Sequence, residues 1–171
     1  MDRVFLLDRS GSMESCWDDT IGGFNAFVND QKKDGGTLTL IQFDHEYQLC
    51  YENKPIGDVE PLTRETFQPR GSTALLDAIG RAIKEVKTRP TFIILTDGCE
   101  NASHVYTKAH IKDLIEERQK DGWTFVYLGA NQDAFAEAGA IGIKPETTMN
   151  YDVNRTPEAF RTLSATCSQL R

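Results

Sequence analysis

Short apolar runs alternate along this chain with segments in which the apolar residues recur every three or four positions. The runs have the length and composition of β-strands, and the recurring pattern is that of helices with one buried face. The predicted strands are Val4–Leu7, Thr37–Phe43, Tyr47–Tyr51, Phe92–Leu95, Trp123–Leu128 and Thr147–Tyr151. Strands that alternate with helices favour an α/β fold, in which a mostly parallel sheet is covered by helices on both faces.

The helical segments lie between these strands. The first carries apolar residues from Trp17 to Val28 and is closed by Gly35-Gly36. Further helices are predicted at Leu76–Val86, Ile111–Ile115, Asn131–Ala138 and Pro157–Leu170. The strand that begins at Tyr47 follows a tight polar turn and is expected to be the antiparallel edge. Right-handed crossovers in such a doubly wound sheet place ligand sites at the carboxyl ends of the strands, where the strand order reverses.

Length and charge exclude several classes of protein. The 171 residues suit a single domain, residues 1–171, that can bury a core. A formal net charge of −7 argues against nucleic-acid binding, since a phosphate backbone would be repelled. No basic amphipathic stretch suggests binding to a membrane surface. The first apolar run is too short for a signal peptide or a membrane span, so we expect neither.

The four cysteines are widely separated. Cys16, Cys50, Cys99 and Cys167 form no CxxC pair. In a domain of this size, free thiols in a reducing compartment are favoured over a disulfide framework. The expected location is therefore the cytoplasm.

Three short polar stretches follow or precede predicted elements at the same edge of the sheet. Asp8-Arg9-Ser10-Gly11-Ser12 follows the first strand, Gly71-Ser72-Thr73 precedes the helix that carries Leu76, and Thr96-Asp97-Gly98 follows the most apolar strand. Asp8 and Asp97 offer two carboxylates, and Ser10, Ser12 and Thr73 offer three hydroxyls. These are hard oxygen ligands, which suit Mg²⁺ or Mn²⁺ better than zinc. Asp8, Ser10, Ser12, Thr73 and Asp97 are therefore the candidate metal ligands.

The stretches LDRSGSM, GSTALLDA and ILTDG resemble the three parts of the metal-ion-dependent adhesion site of von Willebrand factor A domains. The resemblance covers most of the chain. The residues of the three stretches are most similar to those of compact intracellular A domains of bacteria and phages. It implies a Rossmann-like sheet of six mostly parallel strands in the order 3-2-1-4-5-6, with strand 3 antiparallel at the edge. It also implies that Ser10, Ser12 and Thr73 are metal ligands, and that Asp8 and Asp97 hold the ion directly or through water.

The function implied by the resemblance is that of a metal-dependent protein-binding module. In the family, the remaining coordination position takes a carboxylate from a partner protein. We therefore expect a monomer that is not an enzyme and that grips an Asp or Glu side chain of a protein partner through Mg²⁺ or Mn²⁺. A metal-dependent phosphohydrolase that uses Asp8, and a scaffold whose metal is purely structural, are the alternatives. Capping of loops by Asp8 or Asp97 alone is the simplest structural explanation of either residue.

Residues beside the three stretches are candidates for a partner-binding rim. They are Met13, Asp44, His45, Arg70, Cys99 and Tyr106. Trp17 is also near the rim, but it fits the buried stripe of the first helix. Arg9 and Arg70 are the basic residues expected to form a small positive spot for an acidic peptide.

Overall fold

The architecture is built around one six-stranded sheet, with strand order β3-β2-β1-β4-β5-β6. The computed structural model describes residues 1–97, 100–130, 133–151 and 156–169. The strands are β1 Asp2–Asp8, β2 Thr37–Phe43, β3 Tyr47–Pro55, β4 Thr91–Thr96, β5 Thr124–Ala130 and β6 Thr148–Tyr151. Only β3, at one edge, is antiparallel to its neighbour; the other pairs are parallel. The predicted fold class and strand order are confirmed.

The helices are α1 Trp17–Gln31, α2 Leu75–Glu85, α3 Lys108–Lys120, α4 Ala134–Ala140 and α5 Thr156–Gln169. Short 3₁₀ helices precede α1 at Gly11–Cys16 and follow it at Lys32–Asp34. Others lie at Ile56–Asp58 and Pro145–Thr147. The predicted start of the fourth helix at Asn131, and the end of the last one at Leu170, lie outside the described residues.

The central strand β1 shows why the sheet needs a layer on each face. Phe5 and Leu7 point into one core, and Val4 and Leu6 point into the other. Successive side chains of a strand point to opposite faces, so a continuous apolar run is stable only when both faces are covered. The helices α1 and α5 pack together over the first face. The second core includes residues of α2, α3 and α4.

The first face is closed differently near the edge strand β3. There the covering layer is the segment 56–70, which contributes Ile56, Leu62 and Phe67 to the core. Side chains of α1 hold this segment in place: Asn25 exchanges two hydrogen bonds with the backbone of Leu62, and the Trp17 indole donates to the carbonyl of Phe67. Loop rather than helix therefore covers this part of the sheet.

Among the described residues, no helix combines the length and the apolar character that crossing a membrane requires. The thiols of Cys16, Cys50 and Cys167 are free. Cys99 lies outside the described residues.

Candidate metal-binding site

The candidate ligands lie where the strand order reverses. Strand β1 has β2 on one side and β4 on the other, so the connections that leave β1 and β4 diverge. Leu7 of β1 is in register with Leu95 of β4, which brings the ends of the two strands together. Asp8 and Asp97 follow those residues. In open α/β sheets this crevice at the carboxyl ends is where ligands bind.

The first loop folds its own hydroxyls onto the end of β1. The backbone N–H of Ser10 donates to Asp8 Oδ1 at 2.7 Å, which turns the chain back over the carboxylate. The hydroxyl oxygens of Ser10 and Ser12 are then 3.2 Å apart. From Gly11 the chain continues as a 3₁₀ helix. Alternate residues of the loop therefore face one point.

The loop that follows β4 brings the carboxylate of Asp97 to the same point. Ser12 Oγ donates to Asp97 Oδ1 at 2.8 Å, although the two residues are 85 positions apart. Beside it, Thr96 Oγ1 donates to Asp8 Oδ2 at 2.7 Å. Hydrogen bonds thus join Ser10, Ser12 and Asp97 in a chain, and Asp8 is tied to both loops.

The loop Gly71–Thr73, which precedes α2, packs against the loop after β1 through backbone contacts. The carbonyl of Gly71 accepts from the N–H of Gly11 at 3.0 Å, two residues before the buried Thr73. Gly71 has φ +71°, and a Cβ there would lie 2.4 Å from His45 Nδ1, so the conformation requires glycine. The backbone of Thr73 is held by Asn101, whose side-chain oxygen accepts from the Thr73 N–H at 2.9 Å. Thr73 is therefore fixed at the junction of the loops.

Asp8 and Asp97 are both buried, and neither is paired with a basic side chain of the described residues. Burial raises the pKa of Asp8 to about 6; the nearby Asp97 adds to the shift, and hydrogen bonds from Thr96 and Ser10 oppose it. Burial also raises the pKa of Asp97, against the hydrogen bond from Ser12. Asp97 Oδ2 is buried and has no hydrogen-bond partner among the described residues. A buried carboxylate oxygen without a hydrogen bond is costly, and a cation bound beside it would offset that cost.

The donor set fits a hard cation. Carboxylate and hydroxyl oxygens are the ligands of Mg²⁺ and Mn²⁺, whereas zinc in structural sites prefers cysteine and histidine. Within the described part of the chain, no group of three or more His, Cys, Asp or Glu side chains is placed to hold a metal. An ion at the strand ends would therefore depend on the hydroxyls as much as on the two aspartates.

The predicted rim is only partly at the surface. The structure places Met13 and Asp44 in the interior, each with 0% exposure, which corrects their assignment to a partner-binding rim. The 3₁₀ helix Gly11–Cys16 turns Met13 into the core, and Asp44 lies beneath two arginines. His45 and Arg70 are exposed, and Tyr106 is half-buried. Cys99 lies outside the described residues.

The predicted positive spot is largely neutralised. Arg9 Nε and Arg70 Nε both donate to Asp44 Oδ2, at 3.0 and 2.8 Å, and Arg70 also pairs with Glu46 at 3.2 Å. Arg9 is itself buried. These ion pairs link the first loop, the β2–β3 turn and the segment before Thr73, so their role is to position the loops.

Two residues that contact the candidate ligands were not predicted. Thr96 was assigned only to the end of a strand, and Asn101 had no assigned role. The position of Thr96 next to Asp97 was a usable signal, because a hydroxyl at a strand end can bond to the neighbouring strand's carboxylate. Nothing in the sequence pattern indicated that Asn101 would contact Thr73, which is 28 positions away.

A family model described as the von Willebrand factor type A domain matches residues 3–100, more than half of the chain. The chain belongs to the von Willebrand factor A domain family. None of the curated proteins compared with this A domain matched it. The family match includes the loops of Asp8 and Thr73 and ends just after Asp97.

Several solved structures share the fold of this A domain. Proximal thread matrix protein 1 from the mussel byssus, described with a zinc-occupied MIDAS motif, has a TM-score of 0.71 and 16% identity over 97% of this chain and 45% of its own. The vWF domain of the type V pili tip protein Mfa5 from Porphyromonas gingivalis has a TM-score of 0.72 and 11% identity over 98% and 94%. Manganese-loaded TRAP protein from Plasmodium vivax has a TM-score of 0.64 and 18% identity over 96% and 72%. The A domain thus spans less than half of the mussel protein.

Proposed function

We propose that this A domain binds one divalent cation, Mg²⁺ or Mn²⁺, and uses it to hold an Asp or Glu carboxylate of a protein partner. The proposed ligands are Asp8, Ser10, Ser12, Thr73 and Asp97, a complete metal-ion-dependent adhesion site. The observation that carries the proposal is the buried Asp97 Oδ2. It lies beside the hydrogen-bonded hydroxyls of Ser10 and Ser12, and no described residue forms a hydrogen bond with it. A cation would supply the partner that this oxygen lacks.

The composition of the site explains why the cation would bind a further anion. Three of the five proposed ligands are neutral hydroxyls, so they do not offset the ion's charge as carboxylates would. The ion then supplies electrostatic attraction for one more carboxylate oxygen. Ser12 is exposed, whereas Asp8, Ser10 and Thr73 are buried, which gives the site an open side near Ser12.

The related structures support a binding role over an enzymatic one. One is described with a zinc-occupied MIDAS motif, another as manganese-loaded, and a third, from Lactobacillus rhamnosus GG, as a pilus adhesin. We therefore expect a binding module rather than an enzyme; a monomeric state remains our prediction from the sequence. A cytoplasmic location remains our prediction from the free thiols. The relationship to compact bacterial and phage A domains remains a prediction from the residues of the three motif stretches.

Thermal unfolding with and without the cation tests metal binding. A ligand at 100 times its dissociation constant stabilises the folded state by about 2.7 kcal/mol. We expect Mg²⁺ or Mn²⁺ to raise the Tm of the wild-type protein above its value in EDTA. Asp97→Ala should abolish the increase, whereas Asp113→Ala, an exposed carboxylate on α3, should retain it. An equal increase in Asp97→Ala would contradict the proposed site.

Affinity capture tests the partner. The same three proteins serve as baits in Mg²⁺ and in EDTA, and a true partner is retained by the wild type and Asp113→Ala only in Mg²⁺. Changing the partner's candidate Asp or Glu to Asn or Gln should then abolish retention. Turnover of p-nitrophenyl phosphate that disappears in Asp8→Asn would instead favour the phosphohydrolase.

A further inference from the structure

A groove lies on the surface beside α2, between that helix, the β2–β3 turn and the segment 104–106. It has a volume of about 510 Å³. Ala74, Ala78 and Arg81 recur at helical spacing and all line it, so the groove follows one face of α2. Two of the predicted rim residues, His45 and Tyr106, line it as well.

The near end of the groove adjoins the loops that carry the proposed metal ligands. Ala74 directly follows the proposed ligand Thr73. His45 lies against Gly71, where a Cβ would be 2.4 Å from His45 Nδ1. A protein segment that reached the cation with one carboxylate would therefore enter this groove if it continued along α2.

The walls of the groove are largely apolar and open to solvent. Val105 is 66% exposed, which is high for a large apolar side chain. The rings of Tyr47 and Tyr106 are half-buried and also line the groove. Ala74 and Ala78 have short side chains that leave space between these walls. The groove thus has the size and composition to receive one large apolar side chain of a partner.

The walls are held in position without a ligand. The backbone N–H groups of Val105 and Tyr106 both donate to Asp77, at 3.0 and 2.9 Å. The Tyr106 ring packs on Gly80, where a Cβ would lie 2.6 Å from it. A groove that is formed in advance loses little conformational entropy when a segment binds in it.

The charges along the groove favour an acidic segment. The three carboxylates that line it already have partners: Asp77 in backbone N–H groups, Glu85 in Arg81, and Glu46 in Arg70. Lys84 is exposed and lies over the Tyr106 ring, with Nζ 5.2 Å from the centroid. It forms no ion pair with a described residue. Lys84 therefore offers a positive charge that is complementary to a carboxylate of the partner.

The distance along α2 sets the length of such a segment. The helix begins at Leu75, soon after Thr73, and at about 1.5 Å per residue Lys84 lies about 14 Å further along. An extended chain advances about 3.4 Å per residue, so about four residues span that distance. Alternate residues of an extended chain point to the same side. Two acidic residues with a large apolar residue midway between them would therefore all face the protein.

We propose that the partner of this A domain binds through an extended segment of the pattern acidic-x-apolar-x-acidic. One terminal carboxylate binds the cation, the central apolar side chain enters the groove, and the other carboxylate pairs with Lys84. This inference rests on the proposed function, because the first of these contacts requires the cation.

The test is a titration of the ¹⁵N-labelled protein with short peptides in Mg²⁺ and in EDTA, followed by two-dimensional NMR. The probe is Asp-Ser-Phe-Ser-Asp with both ends blocked, whose side-chain pattern is the same in either chain direction. In Mg²⁺ it should shift the amide signals of residues 45–47, 74–85 and 104–106. Asp-Ser-Ser-Ser-Asp lacks only the apolar side chain and should bind about tenfold more weakly.

Variants of the protein assign each contact. Lys84→Gln should weaken binding of the probe about threefold, whereas Lys120→Gln, an exposed lysine of α3 outside the groove, should bind as the wild type does. Replacing one terminal Asp of the probe by Asn should cost less affinity in Lys84→Gln than in the wild type. Val105→Asp puts a charge in the apolar wall and should weaken binding of the probe about tenfold. Since Val105 is exposed, this variant should fold.

The possible failures separate this inference from the proposed function. Binding that requires Mg²⁺ but is equal for the two peptides, or unchanged in Lys84→Gln or Val105→Asp, would overturn the inference and leave the cation-held carboxylate intact. Binding that persists in EDTA would overturn both the inference and the role of the cation in holding the partner. If neither peptide binds, the inference is wrong, and the change in Tm with Mg²⁺ still decides whether the cation site exists.

Discussion

Two groups of carboxylates near the carboxyl edge of the sheet have opposite environments. Asp77, in the first turn of α2, accepts hydrogen bonds from three backbone N–H groups, those of His104, Val105 and Tyr106, at 2.9–3.0 Å. Asp8 and Asp97 are bonded mainly to hydroxyls and, in the case of Asp8, to one backbone N–H. Within the described part of the chain, one oxygen of Asp97 has no hydrogen-bond partner.

The difference is visible in the acidity of the groups. Burial alone would raise the pKa of Asp77, but the N–H donors of His104, Tyr106 and Val105 outweigh it, and the pKa lies below its usual value. For Asp8 and Asp97 burial prevails, and the pKa values are raised. A carboxylate surrounded by N–H donors is satisfied by the protein itself. A carboxyl group whose pKa is raised by burial is stabilised either by taking up a proton or by a positive charge brought close to it.

This contrast assigns a structural role to Asp77 and agrees with the proposed binding role of Asp8 and Asp97. Asp77 holds the segment 104–106 against α2, and the neighbouring Glu100 accepts from the N–H of Leu76 at the start of the same helix. That segment continues from Asn101, which supports Thr73. The structural carboxylates thus hold in place the loops that carry the proposed metal ligands.

The largest effect on stability is expected at Asp77. Asp77→Ala removes the acceptor of three N–H groups and should lower the free energy of unfolding by about 2 kcal/mol. The loss is measured by urea denaturation in EDTA, where metal binding does not contribute. Asp97→Ala in EDTA should cost less than about 1 kcal/mol, because it also removes a buried charge. The contrast fails if Asp97→Ala costs more than Asp77→Ala in EDTA.

The contributions of Asp8 and Asp77 to stability should change with pH in opposite directions. In EDTA the pKa of Asp8 is about 6 in the folded state and near 3.8 in the unfolded state. The folded state then binds the proton more tightly, so the contribution of Asp8 is full below pH 4 and is lost as the pH rises through about 6. The loss is on the order of 3 kcal/mol. Asp77, with a lowered pKa, contributes stability that is lost as the pH falls.

The measurement is urea denaturation of the wild type and of Asp8→Asn in EDTA, at intervals from pH 4 to pH 7. Asn at position 8 cannot ionise. The free energy of unfolding of Asp8→Asn should therefore fall less between pH 4 and pH 7 than that of the wild type. Parallel curves for the two proteins would show that Asp8 is not held in a raised-pKa environment.

The smallest effect on stability is expected at Ser12. Its side chain is exposed, but Ser12→Ala removes the donor to Asp97 Oδ1, so the free energy of unfolding in EDTA should fall by no more than about 1 kcal/mol. Loss of a proposed ligand should nevertheless weaken Mn²⁺ binding about tenfold, as measured by calorimetry. Ser15→Ala, in the same 3₁₀ helix, is the matched control and should bind as the wild type does. Equal affinity in the Ser12 and Ser15 variants would remove Ser12 from the site.

Much of the architecture could be predicted because the periodicity of apolar residues reports which faces are buried. The strands from Val4, Thr37 and Phe92 were found within a few residues of their true bounds, and the resemblance supplied their order. The proposed ligands could be named because each follows or precedes an element at the same edge of the sheet. Hydrogen bonds then show that Ser10, Ser12 and Asp97 do meet.

What could not be predicted depends on contacts between distant parts of the chain. Met13 follows a polar loop and was expected at the rim, but a 3₁₀ helix turns it inward. The N–H donors around Asp77 come from a segment without periodicity. Gln42 Oε1 is buried without a hydrogen bond to any described residue, which depends on where the segment 56–70 crosses the sheet. Periodicity identifies the buried face of an element, but not which atoms face each other across it.

The most direct test of the metal site is a crystal structure grown with Mn²⁺ and measured at a wavelength where manganese scatters anomalously. We predict one anomalous peak enclosed by side-chain oxygens of Asp8, Ser10, Ser12, Thr73 and Asp97, some reached directly and the others through water. A peak elsewhere, or none beside Asp97 in a crystal that holds Mn²⁺ at other positions, would contradict the account.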